Sequence, residues 1–206
     1  NPTRTPAKGQ GYSLGKIVAQ RAFADAAEQH GGWDAITCCP ADNVGPIQSL
    51  HQKNVGPWQH IIEGMLVGEY PQTGAYRPWM TVDVRDDADC HIGLLESSEV
   101  HNGERYIAWS TDARNVEDIC ADIDRLLPEL RHDAPAVTDT HPARVAAREA
   151  ELRAIWAGCE LRNDRIRAVV PITFRSLDCS IRDCIESLLT IGAVVPRQRP
   201  ANGDNS

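Results

Sequence analysis

No stretch of about eighteen apolar residues occurs in the 206-residue chain, so no transmembrane helix is expected. Positive charge is in deficit. Lys and Arg total 21 against 29 Asp and Glu, a net charge of −8, so neither nucleic acid nor an anionic membrane is expected as a main partner. No Cys-x-x-Cys pair exists among the seven cysteines, and their number is odd. Cys38, Cys39, Cys90, Cys120, Cys159, Cys179 and Cys184 lie mostly in apolar runs, which predicts buried free thiols in a reducing compartment and a cytoplasmic location. The seven histidines show no ligand spacing around these cysteines, so no metal is expected. A secretory leader is not expected either, because Asn1-Pro2-Thr3-Arg4-Thr5-Pro6 is polar and broken by proline. The first residue is Asn rather than Met, as expected of a fragment, a processed product or a trimmed chain. There is no internal repeat and no low-complexity block. What is present, 42% hydrophobic residues, suffices for one domain with a real core.

Lysine is scarce as well, with three in the chain, yet one of them, Lys16, stands four residues after Tyr12. On a helix these positions share one face, so a phenol and an ammonium can converge. A phenol is a poor acid at neutral pH, and a neighbouring cation stabilises its phenolate. Such a pair suits proton exchange with a carbonyl or alcohol oxygen. Gly9-Gln10-Gly11 and Gly15 resemble a phosphate loop superficially, but the spacing is wrong and no strand precedes them. Gly15 is read instead as permitting close helix packing.

Residues 11–30 are predicted as a helix with Ile17, Val18, Ala19, Phe23, Ala26 and Ala27 as its apolar stripe, stopped by Gly31-Gly32. Residues 35–39 read as a strand, followed by a loop over 40–46, a helix over 58–67 and a loop over 70–78. A strand is predicted over 79–84, then a helix to about Leu95 capped by Asp86 and Asp87. A strand over 104–109 follows. Asn115 is read as the cap of a helix ending near Pro128, with a polar connector over 131–142 and a helix over 144–156. Ser176 or Asp178 caps a last helix whose stripe is Leu177, Ile181, Ile185 and Leu188, and a disordered tail is expected from Val195. Asp83, Arg85 and Asp86 are read as a structural ion pair with a helix cap, and His91 as a partly buried histidine. Arg125 and the charges between Arg144 and Arg153 are read as solvated helix faces.

Taken in order, several segments resemble one family. Tyr12-x-x-x-Lys16 resembles the catalytic pair of the short-chain dehydrogenase/reductases. Pro40-Ala41-Asp42-Asn43-Val44-Gly45-Pro46 is similar to the family's loop beside the nicotinamide. The segment Val82-Asp83-Val84-Arg85-Asp86-Asp87-Ala88-Asp89-Cys90-His91 resembles its Val-Asp-Val-Arg-Asp-x-Ala-x-x-His stretch, and Gly103-Glu104-Arg105-Tyr106 its Gly-x-Arg-Tyr strand. Together they point to the extended branch, the NAD-dependent epimerase/dehydratase group, nearest the dihydroflavonol-reductase and cinnamoyl-CoA-reductase-like enzymes. The match runs over residues 10–130 and more weakly to the Phe174–Leu177 region.

The resemblance implies an α/β fold: the C-terminal half of a Rossmann-type NAD(P)-binding fold with an appended smaller substrate-binding lobe. Residues 1–130 would carry the cofactor-domain part with interleaved lobe segments, 131–195 the helical lobe and 196–206 the tail. It implies an NAD(P)-dependent reductase of a ketone, aldehyde or acyl-CoA, with Tyr12 as proton donor and Lys16 as ribose anchor. Tyr12, Lys16, Pro40, Ala41, Asp42 and Asn43 would touch the cofactor. The branch usually has apolar residues where Asp42 and Asn43 stand, and a carboxylate beside a cofactor disfavours a phosphate. The family's Gly-rich βαβ unit needs about thirty residues and does not fit before Tyr12. A nucleotide-sugar epimerase or dehydratase, or a truncated and catalytically silent domain, are the alternatives. A small-molecule substrate is expected, as is a homodimer through the Tyr12 helix.

Overall fold

The computed structural model describes residues 11–55, 57–67, 78–115 and 162–195, together with 119, 122–123, 125–127, 150, 154, 157–158 and 160. The elements run α1 (Gly11–His30), β1 (Thr37–Pro40), β2 (Asp42–Val44), α2 (Leu50–Val55), α3 (Pro57–Val67), β3 (Pro78–Asp83), α4 (Val84–Glu96), β4 (Arg105–Ala108), β5 (Ala113–Asn115), α5 (Asp164–Val169) and α6 (Leu177–Thr190). Of the loop expected over 70–78, Pro78 begins β3 and the rest falls outside the described residues, as do the connector over 131–142, the tail over 196–206 and most of the helix expected over 144–156. Among the described residues no helix is long and apolar enough to cross a membrane.

β1 and β4 pair in parallel, with Cys38 opposite Tyr106. β2 pairs in parallel with β3, and β3 antiparallel with β5. The Ala41 N–H donates to the Ala108 carbonyl and the Ser110 N–H to the Thr81 carbonyl, both at 2.9 Å, so the two sheets meet where β1 and β4 end. Several stretches differ from the sequence expectation, among them α2 and α5, which it did not include. The segment 40–46 contains β2 rather than loop alone, because the backbone between Pro40 and Pro46 finds a partner in β3. Asn115 ends β5, paired opposite Pro78.

The apolar residues separate into two clusters. One gathers Ile62, Met65 and Leu66 of α3 with Leu177, Ile181, Ile185 and Leu188 of α6 and with Ile119, Ile123 and Leu127. The α6 residues recur at helical spacing and form a single buried stripe, as predicted. The other packs Val82, Tyr106 and Ala108 of the sheets against Cys90 and Leu94 of α4 and Ile166 of α5. α1 departs from expectation. Its helix is as predicted, but only Ala27 is buried, while Ile17, Val18 and Phe23 are exposed by 47%, 57% and 63%. Its tie to the rest is Asn102, which donates through Nδ2 to the Ala24 carbonyl at 3.0 Å and accepts the Ala35 N–H at 2.9 Å. A Cβ on Gly15 would meet nothing within 4 Å, so this glycine does not serve close packing here.

The cap of α4 is Asp83, not Asp86 or Asp87, which stand in the first turn. Asp83 is the last residue of β3, and its side chain accepts the Arg85 N–H, so one residue both ends the strand and opens the helix. The carboxylate also accepts Arg85 Nε at 2.8 Å and the Ser180 hydroxyl of α6 at 2.7 Å. Arg85 reaches on to Asp183 at 2.7 Å. Gly45, at φ +133°, brings the end of β2 close enough that a Cβ there would lie 3.1 Å from Asp83 Oδ2. Asp86, fully buried, pairs with Arg175 ahead of α6. The ion pair and cap read from the sequence are therefore present, with the cap moved to Asp83.

Burial alone would raise the Asp83 pKa, but the hydrogen bonds from Arg85 and Ser180 outweigh it and hold the carboxyl below its usual range. Asp178, in the first turn of α6, behaves alike: burial raises it, and Arg114 and Arg125 overcome that. Both folded values lie below the unfolded one of about 3.9, so this stabilisation is complete above that pH and is lost as pH falls through the folded values. The urea midpoint is expected to hold steady from about pH 7 to 5 and to fall below about pH 4. A midpoint unchanged through that lower range would remove these carboxylates from the account.

α4 and the segment after α5 approach closely at Gly93, where a Cβ would sit 2.4 Å from Val170 Cγ1. Exchanging glycine for alanine inside an exposed helix stabilises by about 1 kcal/mol. Here the methyl overpacks, and Gly93→Ala is expected to destabilise by about 1–3 kcal/mol. Urea unfolding of the variant reads the sign directly.

Candidate functional site

α1 carries Tyr12 and Lys16 one turn apart, and the ammonium lies 5.4 Å from the centre of the Tyr12 ring, in cation–π reach of its face. Tyr12 is 75% exposed. It lines a hollow of about 590 Å³ together with Pro40, Ala41, Asp42, Asn43 and Gln59. Five of the six residues singled out in the sequence thus border one cavity, although 28 positions separate Tyr12 from Pro40 along the chain. Lys16 is not part of its wall and meets the site through Tyr12.

The fold explains the convergence. β1 runs out at Pro40, Ala41 crosses between the sheets on its bond to Ala108, and β2 begins at Asp42. The carboxyl ends of parallel strands are where open α/β sheets leave a crevice. The 40–42 stretch also walls a second hollow of about 330 Å³, lined further by Met80, Arg105, Ile107 and Trp109. Among the described residues, Asn43 Oδ1 and Trp109 Nε1 are buried side-chain polar atoms with no hydrogen-bond partner. Asn43 donates through Nδ2 to Asp87 Oδ2 at 3.1 Å.

Sequence reasoning passed over Gln59. It is a buried polar side chain of α3, spaced with Ile62 and Leu66 on the inward face. A polar residue interrupting an apolar helical stripe was the available signal. Trp109, one residue past the end of β4, is in the sequence only the last residue of the strand expected over 104–109.

The arginine–aspartate clusters around α6 are structural. Arg114 holds Asp112 at 2.7 Å and Asp178 at 2.5 Å and also pairs with Asp122, while Arg125 bridges Asp122 and Asp178 at 2.8 and 2.7 Å. Arg125, read as a solvated charge, therefore joins a network that fastens the start of α6. His91 is more open than expected, its side chain 59% exposed and 3.6 Å from Asp87. Cys90 and Cys184 are buried free thiols, while Cys38, Cys39 and Cys179 are half-buried and also free.

No family model matches the chain. It is 29% identical over 190 residues to the ketoreductase azaE of Aspergillus niger, covering 86% of this chain and 50% of that protein, so it spans about half the length of this curated relative. Its fold is similar to that of a nucleoside-diphosphate-sugar epimerase from Pseudomonas aeruginosa, with TM-score 0.66, 18% identity and coverage of 94% of this chain and 60% of that one. It is similar also to the yeast methylglyoxal/isovaleraldehyde reductase complexed with NADPH, with TM-score 0.64, 17% identity and coverage of 87% and 50%. The chain has an α/β fold of the Rossmann type, the one these reductases and epimerases share.

Proposed function

We propose that the chain is the C-terminal portion of an extended short-chain reductase, of the dihydroflavonol-reductase and cinnamoyl-CoA-reductase-like kind. It would reduce a carbonyl at the expense of NADH or NADPH. The observation that carries this is the hollow of about 590 Å³ in which Tyr12 meets Pro40, Ala41, Asp42 and Asn43. The likeness to a ketoreductase along 86% of the chain supports it.

The residues fit a nicotinamide riboside. Pro40 and Ala41 offer apolar wall for the ring, and the amide residues Gln59 and Asn43 line the same space. A bound nicotinamide supplies the hydride. Tyr12 gives its hydroxyl proton to the carbonyl oxygen as charge develops there. Lys16, held against the Tyr12 ring, would hold the ribose hydroxyls and would keep positive charge beside the phenol. Asp42 stands at the cavity wall, where its charge selects against a phosphate or an acidic substrate. In this reading residues 1–130 belong to the cofactor domain and 131–195 to the substrate lobe. A second copy packs on α1 over Ile17, Val18 and Phe23, which are exposed.

The test is titration of NADH and NADPH followed by cofactor fluorescence, on this chain and on the protein at the length its source makes. Saturable binding, followed by turnover of small ketones, is expected of the source-length protein. If that protein leaves the fluorescence of both cofactors unchanged, the reductase reading falls and a catalytically silent domain takes its place.

A further inference from the structure

Cys38, Asp87 and His91 come together on the side of β1 that α4 covers. Asp87 and His91 are one turn apart on α4 and share a face. Cys38 belongs to β1, where side chains alternate. It points to Asp87 at 3.9 Å, while its neighbour Cys39 accepts Arg105 Nε at 3.1 Å. His91 Nε2 lies 3.6 Å from the same Asp87 Oδ1, and one ligand atom from each residue lies within 4.8 Å of the other two.

We propose that Cys38, Asp87 and His91 form a binding site for a zinc-like divalent metal ion. A tetrahedral zinc with bonds of about 2.3 Å to sulfur and 2.0 Å to nitrogen or oxygen sets sulfur and oxygen about 3.5 Å apart, and nitrogen and oxygen about 3.3 Å apart. The observed separations of 3.9 and 3.6 Å exceed these by a few tenths of an ångström, and the Cys38 sulfur and the nitrogen of the exposed His91, within 4.8 Å of each other, close to about 3.5 Å by a turn of the imidazole. The donor set of thiolate, imidazole and carboxylate suits zinc rather than magnesium or calcium. Asn43 holds the other carboxylate oxygen of Asp87 at 3.1 Å, which fixes Oδ1 toward the cysteine and histidine, as partners behind a metal ligand do. Beside the trio lies a hollow of about 410 Å³ lined by Asp34, Ile36, Cys38, His91 and Leu94, with room for water to complete the coordination.

The same trio does not suit a nucleophilic cysteine. Burial, and then the charge of Asp87, pushes the Cys38 thiol up to about 12, and a thiol is not a nucleophile until it ionises. A metal ion replaces that proton: the Cys38 S–H bond breaks, a sulfur–metal bond forms, and the proton leaves to solvent. Sequence spacing concealed the site because the cysteine comes from 49 residues before the aspartate, on another element.

Chelator-stripped chain titrated with zinc by calorimetry is expected to take up one equivalent, and cobalt in its place to give thiolate-to-cobalt charge-transfer absorption. Cys38→Ser removes that absorption, and both Cys38→Ser and the exposed His91→Ala weaken zinc binding at least about tenfold. Cys39→Ser, on the opposite face, retains both signals. Circular dichroism establishes that each variant is folded, and His91→Ala carries the test if Cys38→Ser is not. No stoichiometric uptake, or uptake unchanged in His91→Ala and Cys38→Ser as adventitious binding would give, overturns the site.

Discussion

Tyr12→Phe is expected to lower carbonyl reduction by at least about a hundredfold while nicotinamide binding persists. The proposed role of Tyr12 lies in one oxygen atom, and a positioned acid contributes about 10²–10⁴ in rate. The substitution keeps the ring that forms part of the cavity wall and the aromatic face over which Lys16 lies 5.4 Å away. Little else changes, because Tyr12 is 75% exposed and its hydroxyl supports no core. Lys16→Met is the contrasting variant: it would lose the proposed ribose contact, so both cofactor affinity and turnover should fall. The measurements are turnover and cofactor fluorescence in parallel, on protein of the length its source makes. Turnover retained in Tyr12→Phe removes the proposed proton donor.

The second large effect is on stability. Asp83→Ala is expected to cost about 3–4 kcal/mol. It removes a helix cap, typically worth about 1 kcal/mol. It also removes hydrogen bonds from a charged group, worth about 1.5–3 kcal/mol. The Asp83 side chain is fully buried, with Arg85 at 2.8 Å on one side and the Ser180 hydroxyl at 2.7 Å on the other. Arg85 is about a third exposed and keeps Asp183, which limits the damage to the arginine itself. Ser180 has no such recourse outside its own helix, where it can donate to the Ser176 carbonyl at 3.3 Å. Asp83→Asn keeps a cap acceptor and loses the charge, so its cost should be about half. Urea unfolding decides. A loss below about 1 kcal/mol for Asp83→Ala would mean that the junction of β3, α4 and α6 rests on packing alone.

The same residue marks where the sequence was readable and where it was not. The existence of α4 was legible from its acids and apolar spacing, but its start was not. A strand was read through Val84, whereas Asp83 closes β3 and caps α4 at once. α6 was legible through its Leu177, Ile181, Ile185, Leu188 stripe, which has one period, and of the two candidate caps, Ser176 and Asp178, Ser176 is the cap and Asp178 stands in the first turn. β5 and α5 were missed. Three and six residues are too few for a period to show, and both owe their form to tertiary partners, Pro78–Met80 for β5 and β4 with α4 for α5. β2 was concealed by the prolines flanking it and owes its strand conformation to β3. In the site, the Tyr12 and Pro40–Asn43 segments were found by motif. That they share a cavity follows only from the crossing of the chain at Ala41. Gln59 could be noticed only as a polar residue in the apolar stripe of α3; that it reaches the cavity follows from packing.

The attachment of α1 through Asn102 makes the helix a lever. Tyr12 and Ala24, whose carbonyl Asn102 holds, are separated by twelve residues of one continuous helix, about 18 Å along its axis at the usual rise. A pivot of about 5° at that latch carries the Tyr12 end through roughly 1.5 Å, about three times the tolerance of a productive proton donor. Under the proposed function, the aim of Tyr12 at a reacting oxygen would therefore be set from the Ala24 end of the helix, by an asparagine that does not line the cavity.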